Sequence, residues 1–139
     1  MNDLTFSPLE KKALELLLAG EDPVLDVLRQ QLSSATISSR QYTGVGYYLN
    51  FDLPHKRSGF QETINFRSRF CINDVGAVLK IGNYEQKVGL LFWVLDGYID
   101  SLEAYTFGEE NWPDNYDTFH VHYLFGERNL DDLRGEWKT

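Results

Sequence analysis

His120-Val121-His122 sets two imidazoles one residue apart, which on an extended strand places both on one face, a spacing some metal sites use. Such a site needs at least a third ligand, and Asp117 or Glu103 could supply one. Polar residues alternating along a solvent face give the same spacing, so neither a metal nor any other cofactor is assigned. Glu103, within Leu102-Glu103-Ala104-Tyr105-Thr106, is the better-placed acid. Buried, its pKa would rise and mark a functional site; exposed, or paired with Arg67 or Arg69, it would be structural. Gly44-Val45-Gly46 stands inside a strand pattern and opens no helix, so it builds no phosphate cradle. No nucleophile elbow of the G-x-S-x-G type is present. Cys71, between Phe70 and Ile72, reads as a small apolar strand residue. No catalytic residue is assigned.

What clusters is carboxylate with aromatic ring. Residues 1–94 hold ten acids and ten bases, whereas residues 95–139 hold eleven acids and three bases, so the last third supplies the entire net charge of −8. A one-signed face steers an oppositely charged molecule toward it and repels the phosphates of nucleic acid. The contact face is expected on Tyr98, Asp100, Glu103, Tyr105, Glu109, Glu110, Trp112, Asp114, Tyr116 and Asp117. Aromatics would anchor a partner, and carboxylates would pair with its Lys or Arg. Phe107 is assigned to the core. Trp112, in a loop before Pro113, fits either a contact residue or a lid over the open end of a sheet. The carboxylates beyond Gly126, at Glu127, Asp131, Asp132 and Glu136, read as solvation.

The frame carrying these residues is bounded by composition. A chain of 139 residues fits one domain and buries roughly two-thirds of its unfolded surface. Its single cysteine can form no internal disulfide, and no basic start followed by an apolar run marks a signal peptide. The longest apolar run, Gly89 to Leu95, is too short to span a bilayer. These features predict a cytoplasmic protein without membrane contact.

Ser7-Pro8-Leu9-Glu10 matches a capping box and starts a helix through Leu9, Ala13, Leu16 and Leu17 that Gly20 stops. Asp22-Pro23 starts a second, with Val24, Leu25, Leu28 and Leu32 on its apolar face. From residue 35 the period changes to two. Thr36 to Thr43 pairs with a strand whose inner face is Val45, Tyr47, Leu49, Phe51 and Leu53. Pro54 to Gly59, with His55, Lys56 and Arg57, is a polar loop. Ile64, Phe66, Ser68, Phe70 and Ile72 alternate next, exposing Asn65, Arg67 and Arg69, and Asn73-Asp74 turns into a short strand, Val75 to Ile81. Asp96-Gly97 supplies the positive φ values of a two-residue hairpin between Val88–Leu95 and Tyr98–Phe107. Leu90 to Leu95, apolar on both sides, is expected to be a central strand covered on both faces. In regular register Glu103 would fall on the inner face, and a bulge near Asp100-Ser101 would turn it outward and Leu102 inward. Phe119, Val121, Tyr123 and Phe125 form the last strand, and residues 126–139 a short helix or tail. The fold class is α+β: an N-terminal helical hairpin on a curved, mainly antiparallel sheet of about five to seven strands, in one domain spanning 1–139.

Thr43-Gly44-Val45-Gly46-Tyr47-Tyr48, Gly89 to Val94, and Asp96-Gly97-Tyr98-Ile99 through Leu102-Glu103-Ala104-Tyr105-Thr106-Phe107-Gly108-Glu109, together with Trp112-Pro113, resemble a family of small, functionally uncharacterised bacterial proteins. The resemblance spans roughly residues 7–123 and implies no catalytic residues. By charge and size alone the chain also resembles immunity proteins, which cover the substrate cleft of basic nuclease toxins. The leading expectation is therefore a non-enzymatic module that binds a basic toxin domain. One alternative is a small-ligand binder or enzyme with a pocket between helices and sheet lined by Tyr47, Phe92, Tyr105 and Glu103. A third is a structural, oligomerising unit. Monomer and dimer are both open.

Overall fold

Ser7 begins the first helix as its neighbours dictate. Its hydroxyl accepts the Glu10 N–H at 3.2 Å, and the Glu10 carboxylate accepts the Ser7 N–H at 2.8 Å. Pro8, lacking an N–H, sits where the helix needs none. This helix, α1 (Pro8–Leu17), buries Leu9, Ala13, Leu14 and Leu17, and Gly20, at φ 127°, turns the chain beyond it. Asp22 caps α2 (Pro23–Ser34) by accepting the Val24 N–H at 2.8 Å, and Val24, Leu25 and Leu28 face inward.

The computed structural model describes residues 4–53, 67–108 and 110–138. Within them lie β1 (Thr36–Tyr42), β2 (Gly46–Asp52), β3 (Arg69–Ile81), β4 (Tyr84–Leu95), β5 (Tyr98–Thr106), β6 (Thr118–Tyr123) and α3 (Leu130–Arg134). The six described strands form one sheet in the order β1-β2-β5-β4-β3-β6, antiparallel throughout. Both long helices lie on the same face, α1 across β3, β4 and β6 and α2 against β5. The expected α+β architecture is the one observed. Beneath the helices the strand period of two brings Leu49, Val75, Leu79, Val88, Leu90, Phe92, Val94 and Leu102 into one core. Full burial of each such side chain stabilises the fold by about 1.5–3 kcal/mol.

The Asp96-Gly97 hairpin forms as its sequence requires, with φ of 52° and 84°. Gln31 of α2 clamps it: the amide donates to the Gly97 carbonyl and accepts the Ile99 N–H, both at 2.9 Å. Trp93 pairs with Ser101 and Val94 with Ile99, leaving Asp100 as the extra residue of a bulge. Leu102 thereby turns inward and Glu103 outward.

Several expectations are corrected. Asn73-Asp74 is no turn: β3 runs unbroken from Arg69 to Ile81 and absorbs the polar pair in a register shift between Ile72 and Val75. Asp74 is held there by Arg128 at 2.7 and 2.9 Å, and its carbonyl accepts the Leu124 N–H. Among the described residues no layer covers the second face of the central strand β4, where Leu91 and Trp93 are half-buried. Val45 lies in the turn before β2 and is exposed. Phe107 is 41% exposed, outside the core, and Phe125 follows the end of β6 at 83% exposure. The tail is structural as well as solvated, because Leu133 and Trp137 are buried and Trp137 packs on Phe70 with ring centroids 5.8 Å apart. The loop expected at Pro54 to Gly59 and the alternation at Ile64, Asn65 and Phe66 lie outside the described residues. Among the described residues no helix is long and apolar enough to cross a membrane.

Candidate functional site

β5 ends at Thr106, opposite Val88, while β4 reaches back to Tyr84. At about 3.3 Å per residue, the β3–β4 hairpin overhangs β5 by about 13 Å. The chain leaving β5 crosses this recess on the helix side to reach β6. Hydrogen bonds among the described residues hold it: Phe107 N–H to the Lys87 carbonyl at 2.9 Å, Thr106 Oγ1 to the Glu110 carbonyl at 2.6 Å, Trp112 N–H to the Gly44 carbonyl at 2.8 Å, Asp117 N–H to the Lys80 carbonyl at 2.7 Å, and Gly82 N–H to Asp117 Oδ2 at 2.7 Å. The crossing segment is thus tied to the β1–β2 turn on one side and the β3–β4 turn on the other.

Between this segment, β1 and the start of α1 opens a cleft of about 730 Å³, within the size range of ligand sites. Its wall carries Tyr42, Tyr47, Trp112, Asp114 and Tyr116, with Glu10 and Arg40 at the base. Trp112 meets Tyr47 edge to face, centroids 5.3 Å apart at 82°, and Tyr42 leans on Tyr47 at 5.3 Å. Trp112 is partly buried and packs against the core.

Glu10 is 1% exposed and its carboxylate is saturated. Besides the Ser7 N–H it accepts Arg40 Nη2 at 2.7 Å, Arg40 Nε at 3.1 Å and the Tyr47 hydroxyl at 2.8 Å. Burial alone would push the Glu10 carboxyl up. The bonds from Arg40, Ser7 and Tyr47 and the charge of Arg40 together outweigh it, holding the group below its ordinary value. Burial, the Glu10 charge and the hydrogen bond to it drive the Tyr47 phenol far upward, so Tyr47 stays a donor and offers no base or nucleophile. The cleft can bind, but its buried acid is committed to structure.

The residues expected to form one contact face fall in different places. Trp112, Asp114 and Tyr116 line the cleft. Glu110 is exposed beside them along the chain, Asp117 is tied to the β3–β4 turn, and Glu109 lies outside the described residues. Glu103 and Tyr105 sit on the sheet face away from the helices. Glu103 accepts the Trp93 indole N–H at 3.0 Å and a bond from the Tyr48 hydroxyl, rather than pairing with Arg67 or Arg69. Arg69 lies instead over the Trp93 ring, 4.5 Å from its centre. Tyr105 stacks edge to face with Phe107, and the two cover Gly89, where an added Cβ would come within 2.5 Å of the Tyr105 ring. Asp100 is exposed in the bulge, and Tyr98 is half-buried at the hairpin. Tyr47 and Phe92 occupy the helix-covered face and Glu103 and Tyr105 the opposite one, so these four line no common pocket.

His120 and His122 stack on the edge strand with centroids 5.8 Å apart. Among the described residues no group of three His, Cys, Asp or Glu is placed to hold a metal, so neither Asp117 nor Glu103 completes a set with them. Burial pushes the Cys71 thiol up. The residues that sequence reasoning missed are Glu10 and Arg40. Glu10 was legible as a capping residue, but its pairing with Arg40, thirty positions away, left no local pattern. No protein-family model, curated protein or solved structure matches the chain.

Proposed function

We propose that the chain is a protein-binding module that captures a basic partner at the end of the sheet where the acidic crossing segment lies, most concretely a cytoplasmic immunity-type inhibitor of a nuclease-like toxin. One observation carries this reading. Of the seven large hydrophobic residues exposed among those described, four (Tyr42, Val45, Tyr84 and Phe107) lie at this end, beside Glu110, Asp114 and Asp117. Exposed rings at the centre of a contact supply desolvated anchors, and carboxylates around them steer a cation and select it. Among the described residues neither Glu110 nor Asp114 has an ion-pair partner, so both charges are available to another molecule.

The test is affinity capture with the tagged protein from a lysate of the organism that encodes it, beside a Glu110→Lys/Asp114→Lys variant. The expected partner is a cationic protein, released as salt is raised from about 0.1 to 0.5 M, where the screening length falls below 5 Å. The variant should bind it with k_on about tenfold lower. Unchanged association of the charge-reversed protein would remove this end of the sheet as the contact.

A further inference from the structure

We propose that the cleft between Tyr42, Trp112 and Asp114 receives one arginine or lysine side chain of the partner, an inference that rests on the protein-binding reading above. Tyr47 and Trp112 stand at 82° to one another and form a ring-walled corner, with Tyr42 leaning on it and Tyr116 beyond. Tyr42 is 68% exposed, and Trp112 and Tyr116 are half-buried, so ring surface remains open to an incoming group. Aromatic faces attract a guanidinium or ammonium through the ring quadrupole, more strongly as water is excluded.

The charges in the cleft select the sign of the guest. Glu10 and Arg40 neutralise one another through two contacts of 2.7 and 3.1 Å. Asp114 is the remaining charged group on the wall, and it is exposed. An anionic guest would need Arg40, but its Nε and Nη2 are directed at Glu10, and Nη2 also donates to the Thr5 carbonyl at 2.6 Å. A cation finds ring faces and one carboxylate ready; an anion finds Arg40, the one cation among the described lining residues, engaged.

The cleft is tested with N-acetyl-L-argininamide as probe and N-acetyl-L-citrullinamide as its neutral isostere, titrated into the ¹⁵N-labelled full chain at low salt. Argininamide should shift the Trp112 indole N–H and the backbone of Asp114 and Tyr116 with a Kd of about 1 mM, and citrullinamide should not. Asp114→Asn should weaken binding about threefold, as loss of an exposed ion pair does. Tyr42→Leu keeps apolar bulk, removes the ring at an exposed strand end where the fold is insensitive, and should also weaken it about threefold. Shifts shared by both probes, or argininamide shifts spread over Glu127, Asp131 and Asp132 with none at Trp112, would overturn the cleft. The two readings fail separately. If Glu110→Lys alone, outside the cleft, still slows capture of the cationic partner while argininamide ignores the cleft, the cleft is refuted and the surface stands. If argininamide occupies the cleft but charge reversal leaves capture unchanged, the surface reading falls.

Discussion

Replacing Glu10 by Gln removes the charge at the centre of the network joining α1, β1 and β2. The carboxylate is buried, accepts the bidentate Arg40 guanidinium and the Tyr47 hydroxyl, and closes the α1 capping box. Gln can keep one acceptor oxygen for Tyr47 or Ser7, but its amide NH₂ would face the Arg40 donors. Taking one member from a buried ion pair costs about 3–5 kcal/mol, because the other charge stays desolvated. Arg40 retains 18% side-chain exposure and the Thr5 carbonyl, which places the expected loss near the lower end, about 3 kcal/mol. At this chain length that is about 10 °C in Tm. Urea unfolding followed by far-UV circular dichroism measures it, with an unchanged m-value showing that only stability moved. Arg40→Met should cost a similar amount, and the Glu10→Gln/Arg40→Met double variant much less than the sum, a coupling of about 2 kcal/mol. The effect also has a pH signature. The folded-state pKa of Glu10 lies below its ordinary value of 4.5, so its contribution is complete above that value and is lost as pH falls through the folded pKa. The gap between wild type and Glu10→Gln should therefore be flat from neutral pH down to about 5 and narrow only below 4.5. A loss under 1 kcal/mol, or additive single variants, would refute the network as a stabilising unit.

Trp137→Ala should destabilise the fold by about 3–5 kcal/mol, since this residue is 1% exposed against Phe70; a loss under 1 kcal/mol in the same urea assay would return the tail to plain solvation. Gly46→Ala should cost about 3 kcal/mol or more, because a Cβ there would stand 1.8 Å from the Ala104 carbonyl oxygen, a backbone atom that cannot swing aside. Gly44→Ala meets no atom within 4 Å and should cost about 1–2 kcal/mol through its φ of 92° alone, so thermal melts of the two variants separate collision from conformational strain.

Local rules carried the sequence reading wherever one segment sufficed. Both helix starts, the Asp96-Gly97 turn and the bulge at Asp100 follow from residues within a few positions of one another, and all are present. The bulge is the most telling case. It was inferred from the conflict between a carboxylate and an apolar face, and that conflict is a property of β5 alone. Two of the failures share one cause: a neighbour distant in sequence redefined a local signal. Asn73-Asp74 has turn composition, but Arg128, fifty-four positions away, holds Asp74 inside a strand. Leu91 and Trp93 suggested a second covering layer; the sheet supplies side chains instead, with Arg69 over Trp93 and Glu103 on its indole. Residues 98–117 resembled one face because they are contiguous, yet a strand alternates sides and the crossing segment moves to the helix side. Trp137 was overlooked among the charges of the tail.

Those tail charges bear on how the net charge should be understood. Arg134 spans Asp22 and Asp131, at 2.7 Å each, and Arg128 joins Asp74 to the Ala19 carbonyl at the end of α1. The two arginines tie the tail to the opening third of the chain. Asp131 and Asp132 stand in the first turn of α3, where their N–H groups bond to Asn129 and negative charge is favoured. The tail is thus held by its arginines, while of its acids only Asp131, among the described residues, has an ion-pair partner, within its own helix. Glu110 and Asp114 also lack ion-pair partners among the described residues, and what sets them apart is the exposed Tyr42, Val45, Tyr84 and Phe107 at their end of the sheet. Without those exposed apolar side chains the charge of −8 would speak only of solubility. The clustering of those side chains gives the crossing segment, rather than the acidic third as a whole, the claim to meet a cation. It also orders the mutations: reversing Glu110 and Asp114 should change binding and leave the urea midpoint within about 0.5 kcal/mol, while reversing Asp131 should do neither beyond that margin, since its partner Arg134 keeps Asp22.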